Sequence, residues 1–259
     1  MDDPVLLQVD GPVGTVVLNR PQSLNAFDLD LGRGLGRLAA DLPRRDDLRV
    51  VVLRGAGAAF SAGGDVAAFR GAPEELLPRL GEIIDHFHAF VLALRSIAPP
   101  VIGAVHGAAA GGGFSLALAT DVTIAADDVR FAPAYRRLGT SPDGGGTFFL
   151  SRLVGPKKAA ELFLAGGSYG AEEALRLGLV NRVVPAARLD DEVRALAATF
   201  CGNARCAARE TKALLNRELL GPLREHLQAE KRAFLACAAT SEFAEGVAAF
   251  LEKRAPRFG

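Results

Sequence analysis

The chain has 259 residues, of which 49% are hydrophobic and 23% charged, and its 30 basic residues balance 30 acidic ones. This composition is ordinary for a globular protein, and the zero net charge argues against a general attraction to nucleic acid or to a membrane surface. The N-terminus lacks a signal-peptide pattern, and no apolar stretch is long enough to span a bilayer. We therefore expect a cytoplasmic protein without nucleic-acid or membrane partners, and with its three cysteines reduced.

Apolar periodicity and turn residues predict strands and helices that alternate along the first part of the chain. The predicted strands are a hairpin over 5–18 and single strands over 49–54, 101–105, 121–125, 130–132 and 180–184. The predicted helices cover about 28–40, 74–97, 144–153, 157–165 and 171–177, with a further buried helix after the glycines at 111–113. Pro78 is expected to kink or break the second of these. From about Leu189 strand signals disappear, so we divide the chain into an α/β core, 1–188, and a helical region, 189–259.

Two glycine-bearing segments lie where a predicted strand leads towards a predicted helix. Residues 59–65 read Ala-Phe-Ser-Ala-Gly-Gly-Asp, and residues 106–114 read His-Gly-Ala-Ala-Ala-Gly-Gly-Gly-Phe. Each segment by itself fits a tight turn that needs glycine and binds nothing. Together they can supply two free backbone N–H groups, which is the usual construction of an oxyanion hole.

The order and spacing of these motifs resemble those of the crotonase family, the enoyl-CoA hydratase/isomerase superfamily, and the resemblance spans nearly the whole chain. It implies an α/β fold, a crotonase-type spiral of ββα units, with a C-terminal helical region that builds trimer contacts. A homotrimer or homohexamer is therefore expected. The resemblance also implies an acyl-CoA thioester as substrate, with no separate cofactor and no metal ion.

By position within the motifs, the oxyanion donors of this resemblance are the N–H groups of Gly64 and Gly112. The family's coenzyme A loop corresponds to residues 19–27, Asn-Arg-Pro-Gln-Ser-Leu-Asn-Ala-Phe. The resemblance implies contacts to coenzyme A from four residues: Leu24, Ala26, Ala62 and Gly64.

Three other polar or charged positions have a structural interpretation. Arg20 is either a neighbour of a coenzyme A phosphate or an exposed surface arginine. Asp65 is expected to cap the helix that follows it rather than to take part in catalysis. The default placement of His86, His88 and His226 is the surface, whereas His106, directly after a strand, is expected to be buried and hydrogen-bonded.

The departures from the family pattern bear on the reaction. Hydratases of this family carry two glutamates, and Ser115 and Tyr135 occupy those positions here. Neither side chain can activate water as a carboxylate does near neutral pH. Asp143 lies in the segment 134–145, which looks closest to that of 1,2-epoxyphenylacetyl-CoA isomerases, and dienoyl-CoA isomerases also have an aspartate there.

Asp143 is therefore the expected catalytic group, a proton shuttle in an isomerase that stabilises an enolate. Its structural alternative is an N-cap of the helix that begins at Gly144. The 4-chlorobenzoyl-CoA dehalogenases use an aspartate at this position as a nucleophile, but the chain has no tryptophan for their aromatic-lined pocket. Two other functions remain open, an enoyl-CoA hydratase and a catalytically silent acyl-CoA-binding protein. A second carboxylate reaching the cavity would favour the hydratase, and an Asp143 facing solvent would favour the silent protein.

Overall fold

The computed structural model describes residues 3–259, in which strands and helices are mixed as far as residue 184 and only helices follow. The strands are β1 (Val5–Asp10), β2 (Val13–Leu18), β3 (Val50–Gly55), β4 (Val101–Val105), β5 (Ala108–Ala110), β6 (Val122–Ala126), β7 (Arg130–Ala132), β8 (Tyr169–Gly170) and β9 (Arg182–Val184). The helices are α1 (Leu29–Asp41), α2 (Pro73–Ser96), α3 (Gly112–Leu118), α4 (Gly146–Val154), α5 (Pro156–Ala165), α6 (Ala171–Arg176), α7 (Leu189–Gly202), α8 (Arg205–Ala238) and α9 (Ser241–Leu251).

The main sheet has six strands in the order β1-β2-β3-β4-β6-β9. Only the β1–β2 hairpin is antiparallel, and every other neighbouring pair is parallel. The central strands are rich in valine and isoleucine and buried on both faces, as parallel strands covered by helices are. A second, three-stranded sheet joins β5, β7 and β8. Side chains from both faces of the main sheet therefore contribute to separate apolar clusters.

The pairing of β3 with β4 brings the two glycine-bearing segments together. The strands are parallel and in register, with Leu53 opposite Gly103, so the chain leaves both at the same edge of the sheet. The segments then continue side by side, because Phe60 N–H donates to the His106 carbonyl at 2.8 Å and Ala110 N–H donates to the Ser61 carbonyl at 2.9 Å.

Most predicted elements are confirmed within a few residues, and the differences have local causes. The strands β5 and β8 are only three and two residues long, too short to show a period in the sequence. Helix α4 begins at Gly146, later than predicted, because Gly144 and Gly145 adopt positive φ angles of 65° and 78°. The predicted break at Pro78 is wrong, since α2 runs on through it as one helix of 24 residues. Pro78 is the sixth residue of α2, so the helix lacks the hydrogen bond to the Glu74 carbonyl at that point but continues without a break.

The helices after Leu189 pack on the preceding part of their own chain. Helix α7 covers one face of the main sheet, and α8 lies along α2. Leu223, Leu227 and Phe234 of α8 are buried in this way, whereas Leu214 and Leu215 remain 67% and 71% exposed. Among residues 3–259, no single helix is long and apolar enough to cross a bilayer; only α8 and α9 together pass that test, and they meet at a bend of 79°.

A cluster of charged and polar side chains attaches the first half of α8 to α2. Lys212 of α8 is buried and its Nζ lies 2.7 Å from Oδ2 of Asp121, just before β6. Arg95 of α2 contacts the other oxygen of Asp121 at 2.8 Å and also donates to the Asn216 side chain. Burial lowers the pKa of Lys212, and the neighbouring Asp121 opposes that shift. Asp121 therefore neutralises two largely desolvated cations.

We expect Asp121→Asn to destabilise the protein strongly, because it leaves Lys212 and Arg95 without their counter-charge. Breaking such a pair costs about 3 kcal/mol of the free energy of unfolding. Asp190→Asn is the matched control, since it removes an exposed ion pair with Arg54 and costs less than about 1 kcal/mol. Chemical denaturation of both variants measures the difference, and equal midpoints would show that the Asp121 cluster contributes nothing.

Candidate active site

One cavity of about 430 Å³ brings together residues from the coenzyme A loop, the two glycine-bearing segments and the C-terminal helices. Its size is within the usual range of small-molecule sites. Much of its wall is made of apolar side chains contributed by distant parts of the chain: Phe27, Phe69, Leu80, Ile83, Phe87, Phe234, Phe250 and Leu251. All of the predicted site residues also border it: Leu24, Ala26, Ala62, Gly64, Gly112 and Asp143.

The backbone N–H groups of Gly64 and Gly112 both lie at this cavity. On either side of Gly64, the Gly63 carbonyl and the Asp65 N–H bond to Phe27, so the alternating N–H of Gly64 faces away from that segment. Gly112 is the first residue of α3, where an N–H has no partner within the helix. Among residues 3–259 neither N–H donates to a protein acceptor.

The close approach of the two segments depends on glycine at position 63. Gly63 has a φ angle of 87°, and a Cβ atom there would lie 2.6 Å from the Ala110 carbonyl oxygen and 3.2 Å from the nitrogen of Gly112. A side chain would therefore push the segments apart. Two unpaired donors beside each other in an apolar cavity are suited to hold an anionic oxygen.

The coenzyme A loop is held in place by a buried asparagine. Asn25 has no exposed surface, and its side chain accepts a hydrogen bond from the Arg20 N–H at 2.9 Å and donates to the Ala59 carbonyl at 2.8 Å. The Ala62 N–H in turn donates to the Leu24 carbonyl at 2.9 Å. These bonds place Leu24, Ala26, Ala62 and Gly64 along one side of the cavity entrance.

Arg20 and Asp65 form an ion pair behind that loop. The Arg20 guanidinium lies 2.9 Å from Asp28 and 3.2 Å from Asp65, and it also donates to the Ala26 carbonyl. The interpretation of Arg20 as an exposed surface residue is wrong, because its side chain is only 22% exposed. The expected helix cap at Asp65 is also wrong, since its side chain makes no capping bond and pairs with Arg20 instead.

Asp143 reaches the cavity as the last member of a hydrogen-bonded chain of three side chains. Its Oδ1 accepts a hydrogen bond from the Tyr135 hydroxyl at 2.7 Å, and that hydroxyl lies 2.9 Å from Oγ of Ser115. Tyr135 and Ser115 are buried, whereas Asp143 is partly exposed to the cavity. Asp143 does not cap α4, because Gly145 holds the N-cap position. The alternative structural role for Asp143 is therefore wrong.

The surroundings of Asp143 change its acidity. Burial in the apolar cavity raises the pKa of its carboxyl group to about 7, the Tyr135 hydrogen bond opposes this shift, and the nearby Glu230 carboxylate adds to it. Burial also raises the pKa of Tyr135 well above its usual value, so this phenol stays protonated. The Asp143 carboxyl group can therefore take up and release a proton near neutral pH.

Two buried titratable groups hold the glycine turn after Asp143, and neither was predicted as a site residue. His88 of α2 accepts a hydrogen bond from the Gly144 N–H at 3.1 Å through its Nε2. Glu230 of α8 accepts from the Gly145 N–H at 2.7 Å. His88 is 3% exposed, so its expected surface placement is wrong. A polar residue on the apolar face of α2 was the only signal in the sequence.

The other three histidines are partly exposed. His226 lies within 2.6 Å of the Thr147 hydroxyl, and His86 lies near Glu82 at the surface. The expected hydrogen bond of His106 is confirmed, because its Nε2 lies 2.9 Å from the Gly57 carbonyl, although the residue is not fully buried. None of the three borders the cavity.

Two carboxylates border the cavity within the described part of the chain, Asp65 and Asp143. Asp65 is paired with Arg20, so Asp143 is the one of the two without a cation. Glu230 approaches from α8 but does not border the cavity, because its oxygens face the turn that begins α4. Ser115 and Tyr135 stand beside Asp143 where two glutamates were expected for a hydratase.

The chain is similar to known proteins over nearly its whole length. The family model "Enoyl-CoA hydratase/isomerase" matches residues 9–259. A probable enoyl-CoA hydratase (echA8) of Mycobacterium tuberculosis is 39% identical over 98% of this chain and 97% of its own. The 1,2-epoxyphenylacetyl-CoA isomerase of Escherichia coli K12 is 34% identical over 98% of this chain and 97% of its own.

Solved structures share the same fold over almost the whole chain. The crystal structure of an enoyl-CoA hydratase from Mycobacterium avium subsp. paratuberculosis K-10 superposes with a TM-score of 0.90 at 30% identity, covering 99% of this chain and 98% of the other. This likeness confirms the predicted crotonase-type α/β fold. With its matching family model, its relatives and its shared fold, the chain belongs to the enoyl-CoA hydratase/isomerase family.

Proposed function

We propose that this protein is an acyl-CoA isomerase that shifts a double bond through an enolate, with Asp143 as the group that moves the proton. The observation that carries the proposal is that Asp143 is a carboxyl group without a cation, placed in an apolar cavity that also holds two unpaired N–H groups. Coenzyme A enters as part of the thioester substrate, along Leu24, Ala26, Ala62 and Gly64. A proton transfer needs no oxidant, so the proposal includes no separate cofactor.

The reaction follows from the positions of these groups. The Asp143 carboxylate takes a proton from C2 of a 3-enoyl thioester, and the electron pair spreads onto the thioester oxygen. The N–H groups of Gly64 and Gly112 hold that oxygen, and a donor of this kind typically contributes ~2.7–4 kcal/mol. Protonated Asp143 then returns the proton at C4, so the double bond moves to C2–C3 and the base is regenerated.

A carboxyl group with a pKa of about 7 suits this cycle, because both of its protonation states are accessible near neutral pH. The rearrangement of a ring epoxide is the related reaction suggested by the 1,2-epoxyphenylacetyl-CoA isomerase, which shares 34% identity. Its thioester oxygen would bind to the same two donors.

Water addition to a 2-enoyl thioester is the second candidate function. It is favoured by the relatives that are named probable enoyl-CoA hydratases. Against it, the two side chains beside Asp143 are a serine and a protonated tyrosine, and neither can activate water. A silent acyl-CoA-binding protein is disfavoured because Asp143 borders the cavity rather than solvent.

We expect the purified protein to isomerise 3-enoyl or ring-epoxide CoA thioesters and to add water to 2-enoyl thioesters far more slowly.

In Asp143→Asn, kcat should fall by about 10²–10⁴-fold with little loss of coenzyme A binding, because the base is removed while its shape is retained. Asp10→Asn, an exposed change in the first hairpin, is the control. Product masses and NMR spectra identify the reaction. Water addition as the main reaction would contradict the proposal.

We expect the activity of the unaltered enzyme to rise with pH through about 7, since the deprotonated Asp143 is the base. Tyr135→Phe removes the hydrogen bond that lowers the pKa of Asp143, so this acid limb should move to higher pH. Tyr169→Phe alters the only other tyrosine, which bonds the Gly166 carbonyl, and should leave the limb in place. Profiles of kcat/KM against pH measure both variants. If the rise of kcat/KM in Tyr135→Phe occurs at the same pH as in the unaltered enzyme, Tyr135 does not affect the pKa of the base.

We also propose that the chain assembles as a homotrimer or homohexamer. The support is the exposure of Leu214 and Leu215 on α8 and of Leu164, which is 78% exposed. Sedimentation at micromolar concentration should show three or six copies, and Leu214→Lys with Leu215→Lys should weaken the assembly. A monomer under these conditions is the opposite result.

A further inference from the structure

The glycine turn that follows Asp143 is attached to the C-terminal helix α8 by one buried carboxylate. Glu230 is 6% exposed, and it lies 85 residues along the chain from Gly145, whose N–H it accepts. It also accepts the Thr147 N–H at 3.1 Å and the Thr147 hydroxyl at 2.5 Å. This buried carboxylate accepts hydrogen bonds from three donors on one turn. Its removal would leave those donors without an acceptor.

The turn has no anchor of its own. Gly144 and Gly145 have positive φ angles, and the N-cap position of α4 is Gly145, which has no side chain to cap the helix. A Cβ atom at Gly144 would lie 2.3 Å from the Phe87 ring, so a larger residue cannot replace it. Glu230 therefore supplies, from another helix, the acceptor that an N-cap residue normally provides.

We propose that Glu230 is a positioning residue of this active site, which fixes the Asp143 turn through its hydrogen bonds to Gly145 and Thr147. This inference rests on the proposed role of Asp143 as the base. Glu230 does not touch the substrate cavity; it acts through the backbone of Gly145 and Thr147 and through its negative charge near the Asp143 carboxyl group.

The groups around the two carboxylates come from three segments, residues 134–138, α2 and α8. Tyr135 donates to Asp143 and lowers its pKa, whereas Glu230 raises it. His88 of α2 faces the same turn, and burial lowers its pKa to about 4, so it is neutral at pH 7. His226 lies 3.4 Å from Glu230 on the same helix.

One ion pair near His88 joins α2 and α8, and its two opposite charges lie next to each other. Lys231 of α8 lies 2.6 Å from Asp85 of α2, so the two largely cancel at a distance. Glu230 is thus the negative charge next to the turn that carries Asp143. Its position couples the docking of α8 to the base strength of Asp143.

The experiment compares variants that remove the charge with variants that remove only a contact. Glu230→Gln removes the charge and retains one acceptor oxygen. Thr147→Val removes the hydroxyl contact and leaves the charge. Glu225→Gln makes the same change of charge on the exposed side of α8 and serves as the control.

For Glu230→Gln we expect the acid limb of kcat/KM to move to lower pH, because a like charge no longer opposes ionisation of Asp143. We expect kcat to fall by about tenfold or more from the looser turn, with KM changed by less than about threefold. Thr147→Val and Glu225→Gln should keep the acid limb of the unaltered enzyme. A Glu230→Gln enzyme that loses thermal stability but retains both kcat and the limb would overturn the proposal and leave Glu230 as a structural cap.

Two further measurements keep the result decisive. If Glu230→Gln does not fold, Glu230→Asp tests the contact, because it retains the charge but is one methylene too short; an unchanged kcat would overturn the positioning role. Titration of the Asp143 carboxyl group by ¹³C NMR reports its pKa without turnover. It therefore tests the effect of Glu230 even if Asp143→Asn shows that another group is the base.

Discussion

The burial of the Asp143 carboxyl group in an apolar cavity is the constraint on which the site depends. Removal from water penalises the charged form, and this penalty raises the pKa to about 7. The Tyr135 hydroxyl opposes the penalty by donating to the carboxylate at 2.7 Å. The acidity of Asp143 thus reflects two opposed effects, desolvation by the apolar wall and one neutral donor.

The parallel sheet explains how such a group meets two unpaired N–H groups. Because β3 and β4 are parallel neighbours, the segments after them leave the same edge and run side by side as far as Gly64 and Gly112. Asp143 borders the same cavity as Gly64 and Gly112. Helices α8 and α9 close the remaining wall with Phe234 and Phe250. The apolar wall that desolvates Asp143 is thus partly a product of the C-terminal helices.

The site differs from the pattern implied for hydratases in its ionisable side chains. Its backbone does not differ in this way. Gly64, Gly112 and residues of the segment 19–27 line one cavity, as the resemblance implied. Ser115 and Tyr135 replace two acids with a pair of hydroxyl groups that bond each other and Asp143. One fold can therefore present different side chains beside the same backbone groups, and function is decided by these side chains rather than by the fold.

Sequence alone identified the family and most strands and helices, and it selected Gly64, Gly112 and Asp143, which line one cavity. These signals are local: motifs, apolar periods and glycines at strand ends. The partners of Arg20 and Asp65 and the burial of His88 were not predictable, since each depends on which distant segment packs against that residue. Glu230 is the clearest case. In the sequence it is one of many charged residues in a helical tail, and it became part of the site only through the docking of α8, which brings residues 85 positions apart within hydrogen-bonding distance. Only the tertiary structure could decide this, because a hydrogen bond between distant segments leaves no periodic trace in the sequence.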